Sequence, residues 1–206
     1  MRAYSILDFV PVKERAVAFT FDDGPNPVHT LELLDIFAEV GGKATFFMIG
    51  EQIDESPETA LKVFAKGHEL ANHSQTHPHL SELSPEAVRA ELAETDRRIR
   101  ALTAKPVRSF RPPYLEDNEE VLALAAEFGY RSIGAVNRGT RDWEMPGVDH
   151  ILEQTREHVG PGSILLFHDG FNDRSQTIEA VRTLLRELAE DGYRFVTVSE
   201  LLELAE

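Results

Sequence analysis

A chain of 206 residues with a net charge of −15 and no cysteine excludes disulfides, thiolate-bound zinc and thiol catalysis, and its acidity disfavours nucleic acid or an anionic membrane as main partner. With 42% hydrophobic and 28% charged residues, it has the composition of a globular protein that can bury a sizeable core as one domain. No apolar run approaches the roughly 18 residues of a membrane span.

Short apolar runs alternate with helical patterns along the chain. AVAFTF (16–21) predicts a buried strand, followed by a helix over 30–40 that stops at Gly41-Gly42. ATFFMI (44–49) is a second strand, and Ser56-Pro57 opens a helix over 58–66. HELAN (68–72) is a short third strand. The next helix starts at Ser84-Pro85 and sets Val88, Leu92, Thr95, Ile99 and Leu102 on one face. VRSFR (107–111) precedes a helix over 118–128 with Gly129 at its C-terminus. RSIGAV (131–136), a helix near 149–158, SILLF (163–167), a helix over 177–191, YRFVTV (193–198) and a last helix from Ser199 complete the pattern. Seven strand–helix units with apolar, non-alternating strands imply a parallel sheet covered by helices. With no G-x-G-x-x-G after the first strand, a βα barrel is favoured over an open dinucleotide-binding sheet.

In such folds chemistry gathers where the carboxyl ends of the strands meet the following loops. Five segments deliver polar residues there: Asp22-Asp23, His73 with His77, Arg111 to Tyr114, Asp142-Trp143 and His168-Asp169. In HSQTH the two histidines sit at i and i+4, which places both imidazoles on one face of a helical turn, suited to one divalent ion. A third ligand is needed; Asp22 or Asp23 can supply it, with His79 as a rival. Adjacent residues of an extended strand face opposite ways, so Asp22 and Asp23 are expected to have different jobs. His168 ends a buried strand, where neighbours can tune its pKa. Trp143 either belongs to the core or walls a pocket, and Arg111 stands on a segment stiffened by two prolines. His29, His68, His150 and His158 read as surface or structural.

TFDDGP, HSQTH, RPPY, DW and LFH, in that order at strand ends, make the chain resemble the polysaccharide deacetylases of the NodB-homology type, carbohydrate esterase family four. The likeness spans about residues 16–202 of a single domain over 1–206. It implies an α/β fold, a distorted (β/α)7-type barrel. By resemblance, Asp23, His73 and His77 bind one divalent metal ion, zinc by default with cobalt or nickel able to substitute. Asp22 resembles the general base and Arg111 the residue that holds it. His168 resembles the general acid, and Asp142 the aspartate associated with both Arg111 and His168. Tyr114 would offer its backbone N–H to the oxyanion, and Trp143 and Leu166 would line the acetyl pocket. Two departures, Gly139 where many members carry aspartate and Leu115 where many carry glycine, bear on substrate preference.

The expected activity is metal-dependent removal of acetyl groups from N-acetylglucosamine-containing glycans, chitooligosaccharide or peptidoglycan. The alternatives are O-deacetylation of acetylxylan and a catalytically silent glycan-binding module. The expected partner is the acetylated glycan, with no nucleic acid and no membrane span; the sequence leaves the oligomeric state open. The opening MRAYSILDFVPVKER lacks a secretion signal because Asp8 interrupts its short apolar segment, so the expected location is cytoplasmic unless an export segment has been removed.

Overall fold

The structure, a computed structural model, describes residues 4–205. Seven strands, β1 (Ala16–Asp22), β2 (Thr45–Met48), β3 (Glu69–Asn72), β4 (Ser109–Phe110), β5 (Arg131–Ser132), β6 (Ile164–His168) and β7 (Arg194–Phe195), alternate with helices. These are α1 (His29–Glu39), α2 (Gly50–Glu55), α3 (Pro57–Ala65), α4 (Pro85–Thr103), α5 (Glu119–Glu127), α6 (Val148–His158), α7 (Ser175–Glu190) and α8 (Val198–Glu203). Every strand pairing is parallel, in the order β5-β4-β3-β2-β1-β6, and β7 pairs with the start of β1.

The curled sheet is closed by the chain's own beginning. Leu7 bridges Ile133 and Phe9 bridges Ser163, with Leu7 N–H donating to Ser132 O at 3.0 Å and Val10 N–H to Gly162 O at 2.9 Å. Residues 7–10 thus fill the gap between β5 and β6 in the distorted (β/α)7 barrel expected from the sequence. The short β4 and β5 still hydrogen-bond onward: Arg111 N–H reaches Asn72 O and Val136 N–H reaches Ile164 O.

β1 shows why its strand reads as apolar without alternation. All seven of its residues are buried, but the two faces differ in size. Val17, Phe19 and Phe21 pack outward into the layer between sheet and helices, where Phe19 stacks on Phe167 and Phe21 on Phe46. The other face carries Ala16 and Ala18, which join the inner cluster with Phe47, Ala71, Ile133 and Ile164. Small inner residues leave room near the carboxyl end for polar groups, and the fully buried Arg111 occupies it.

α4 is capped as its sequence announces, with Ser84 Oγ accepting from Ala87 N–H and Pro85 in the first turn. α2 has no counterpart in the sequence reading. Gly50 looks like a breaker, yet it opens this helix, and glycine suits the position because a Cβ there would lie 1.9 Å from Gln75 Oε1.

Candidate active site

β1 ends at Asp22, and Asp23 immediately leaves the extended conformation with φ 73°. This corrects the opposite-face expectation, because strand alternation stops applying at Asp23. Both carboxylates line one cleft of about 410 Å³ and both approach His73 Nε2, Asp22 Oδ2 at 3.7 Å and Asp23 Oδ1 at 3.5 Å. Their partners distinguish them. Asp22 Oδ1 accepts from Arg111 Nη1 at 2.7 Å. Asp23 Oδ1 is buried without any hydrogen-bond donor and lies 3.4 Å from His77 Nε2.

HSQTH follows β3 as a loop rather than a helical turn. Ser74 and His77 adopt left-handed backbone, φ 66° and 58°, and His77 N–H donates to Ser74 Oγ. The loop still brings the two rings to a centroid separation of 4.9 Å. His73 Nδ1 lies 2.7 Å from the Arg111 carbonyl; a carbonyl only accepts, so Nδ1 carries a proton and Nε2 is the ring atom that faces Asp22 and Asp23. Burial and the charge of His73 push His77 down to about 4, so its ring is neutral at pH 7. Burial opposes the charge on Asp23, but the surrounding histidines hold its carboxyl below the ordinary range.

Ligand atoms of Asp23, His73 and His77 therefore lie within 4.8 Å of one another. An unpartnered buried carboxylate oxygen between two imidazole nitrogens fits one divalent cation. His79, the rival ligand, pairs with Glu116 at 2.6 Å and stacks on Tyr114 with centroids 4.0 Å apart; it takes no part in this cluster. His68 proves structural: its Nδ1 accepts from Ala44 N–H, and burial lowers its pKa to about 4.

Arg111 is a buried cation. Besides Asp22 it donates to Thr20 Oγ1, Ile133 O and Gly134 O, and its guanidinium lies 4.2 Å from the Phe47 ring centroid. Side chain and carbonyl together fix Asp22 and orient His73. On the other flank His168 Nδ1 donates to Asp142 Oδ1 at 2.8 Å and its backbone N–H to Asp142 Oδ2 at 2.9 Å. Thr177 Oγ1 also donates to Asp142, which is fully buried. Asp142 bonds His168 while Arg111 bonds Asp22, which corrects the expected association of Asp142 with both. Burial resists the imidazolium, but Asp142, with Asp22 and Asp23 beyond it, overcomes that and raises His168 to about 9. Trp143 stands edge-on to His168 with centroids 5.0 Å apart, and Leu166 lines the cleft.

Of the two sequence departures, Leu115 lines the cleft, whereas Gly139 packs toward Gln154 and His150 on α6. The sequence assigns no role to the other neighbours of the site, although it places Asp169 on the rim. Asp169 lies so close to Gly24 that a Cβ there would be 2.6 Å from Asp169 Oδ2. Its carboxyl accepts from Thr30, and burial raises it to about 7. Arg174 donates to Gly170 O and Trp143 O, joining two rim loops. Phe171 and Asn172 complete the lining; each reads in sequence as an ordinary loop residue.

The fold and the site together define a hydrolase-type centre on the rim of a parallel βα barrel. Residues 10–133 match the polysaccharide deacetylase family. The chain is 40% identical to a peptidoglycan-N-acetylglucosamine deacetylase of Bacillus cereus over 94% of this chain and 91% of that protein. It is 39% identical to a chitooligosaccharide deacetylase of Sinorhizobium fredii over 86% and 87%. A solved peptidoglycan N-acetylglucosamine deacetylase superposes with a TM-score of 0.91 at 29% identity, covering 97% of this chain and 94% of that one. The chain belongs to the polysaccharide deacetylase family, carbohydrate esterase family four.

Proposed function

We propose that this deacetylase hydrolyses the N-acetyl amide of N-acetylglucosamine units in chitooligosaccharide or peptidoglycan, using one divalent ion held by Asp23, His73 and His77. The observation that carries this reading is Asp23 Oδ1, buried, without a donor, and 3.5 and 3.4 Å from two imidazole nitrogens. Two nitrogens and an oxygen suit zinc, with cobalt and nickel as substitutes. Such an ion lowers the pKa of water and polarises the acetyl carbonyl.

The surrounding residues supply the rest. Asp22, fixed through Oδ1 by Arg111, keeps Oδ2 free to take the proton of the attacking water. The Tyr114 backbone N–H donates to the oxygen that becomes negative as the carbonyl carbon turns tetrahedral. His168, held protonated by Asp142, gives its proton to the departing amine. Trp143 and Leu166 enclose the acetyl methyl and exclude water beside it. Asp142 and Arg111 act through the groups they hold.

A raised His168 pKa favours amide over ester hydrolysis, because an amine leaves poorly without a proton whereas an alkoxide needs less help. Acetate release from chitotetraose and acetylated xylan, measured side by side, tests the reading. Faster release from chitotetraose, lost on chelation and restored by zinc, is expected. Release from xylan alone would replace it with the O-deacetylase reading, and activity indifferent to thorough chelation would remove the ion from the chemistry.

A further inference from the structure

Among the described residues, nine other than glycine hold φ in the left-handed region, and five of them line the one cleft: Asp23, His77, Tyr114, Leu115 and Phe171. Left-handed backbone is unfavourable for any residue with a Cβ and is retained where the surroundings enforce it. For Asp23 and His77 the reason is visible, since each presents a ligand atom. Leu115 (φ 53°) and Phe171 (φ 56°) carry no titratable or coordinating group. Glycine would occupy either position more easily.

What the two residues share is an apolar side chain presented to the cleft. Phe171 is 46% exposed, and Tyr114 and Trp143, also on the cleft, are 57% and 42% exposed. Both turns are tied down. Leu115 N–H donates to Pro112 O at 3.0 Å and Glu116 N–H to Pro113 O at 3.3 Å. Beside Phe171, Gly170 N–H donates to Asp22 O and Gly170 O accepts from Arg174 Nε. Leu115 follows β4 and Phe171 follows β6, with β3, β2 and β1 between those strands. Asp23 and the two histidines come from β1 and β3, so the apolar side chains flank them from opposite sides. Apolar groups fixed in place on either side of a reacting centre match the C–H faces of β-linked pyranose rings, which stack on such surfaces.

We propose that Leu115 and Phe171 are specificity-determining residues: two platforms that hold the sugar rings on either side of the unit being deacetylated. This rests on the N-acetylglucosamine reading above and deepens it. The favoured substrate is a neutral β-1,4-linked oligomer of at least about three units, attacked at an internal unit rather than at its end.

The test uses Leu115→Gly, Leu115→Ala, Phe171→Gly and Phe171→Ala, with chitobiose and chitotetraose as substrates. For the wild type, KM is expected to be lower for chitotetraose than for chitobiose. Each variant should raise the chitotetraose KM by about tenfold, with kcat changing by less than about twofold and zinc affinity unchanged. The glycine variants should melt no lower than the wild type, because glycine accepts the backbone conformation. Alanine keeps the backbone cost and loses the platform, so it should show the same KM loss without any gain in melting temperature. A chitotetraose KM within about twofold of wild type in both variants at either position would overturn the proposal. A parallel fall in kcat and zinc affinity would also overturn it, by showing that these residues only support the metal loop. If the wild type releases acetate from neither oligomer, the N-acetylglucosamine reading fails and this inference falls with it.

Discussion

Replacing Asp142 with asparagine in the metal-free protein isolates the charge that holds His168 protonated. His168 titrates at about 9 against an ordinary 6.5. Burial pulls it down, so the rise comes from Asp142 Oδ1, 2.8 Å from Nδ1, with smaller help from Asp22 and Asp23. Two and a half pKa units correspond to about 3 kcal/mol in favour of the imidazolium. The amide is nearly isosteric and still offers an oxygen to Thr177, but it carries no charge. His168 should then titrate at or below 6.5, and its protonated share at pH 7.5 should fall from nearly all to about one part in ten. The folded pKa is raised, so the stabilisation from this pair is fully present below pH 6.5 and is lost as pH rises through about 9. Asp169 and Tyr130 also have raised pKa values, but both proteins retain them, and the difference between the two isolates His168. The assays are an NMR titration of the His168 ring and urea unfolding of both metal-free proteins at pH 6 and pH 9.5. The wild type should lose stability over that interval relative to the variant. A His168 pKa that stays within about half a unit of wild type would refute the reasoning.

Three further outcomes follow from the same geometry. His168→Ala should lose amide hydrolysis on chitotetraose more severely than ester hydrolysis on acetylated xylan, and equal losses would count against its role as acid. Arg111→Met removes a fully buried cation and leaves Asp22 uncompensated; destabilisation of about 3–5 kcal/mol is expected by urea unfolding, and a change below about 1 kcal/mol would contradict that. Gly24→Ala drives a Cβ to within 2.6 Å of Asp169 Oδ2, so zinc affinity should fall as the Asp22-Asp23 turn shifts; unchanged affinity in calorimetry would show that the turn tolerates the displacement.

The sequence disclosed the site's address better than its internal geometry. Runs read as strands and ending at Phe21, Asn72, Arg111 and Phe167 marked where strands meet loops, and the polar residues at and beyond their ends do converge on the rim. Periodicity could not disclose the closure by residues 7–10, because that segment pairs with Ile133 and Ser163, far along the chain. It also misjudged two backbone conformations. Asp22 and Asp23 share a cleft because Asp23 turns left-handed, and HSQTH gathers its histidines through a loop held by Ser74. Both depend on long-range packing: Gly170 N–H holds the Asp22 carbonyl, and Arg111 N–H bonds Asn72. Arg174 and Phe171 were invisible for the same reason, since their significance lies in what they face.

Asp22→Asn and Asp23→Asn, compared for zinc binding by calorimetry and for acetate release from chitotetraose, test the division of labour most directly. The wild type should bind one ion per chain. Asp22→Asn should keep that ion and lose turnover, because Arg111 holds Asp22 through Oδ1 and the proposed role of Asp22 is that of base. Asp23→Asn should weaken the ion itself, because its Oδ1 faces both histidines. Equal loss of zinc in the two variants would contradict the assignment.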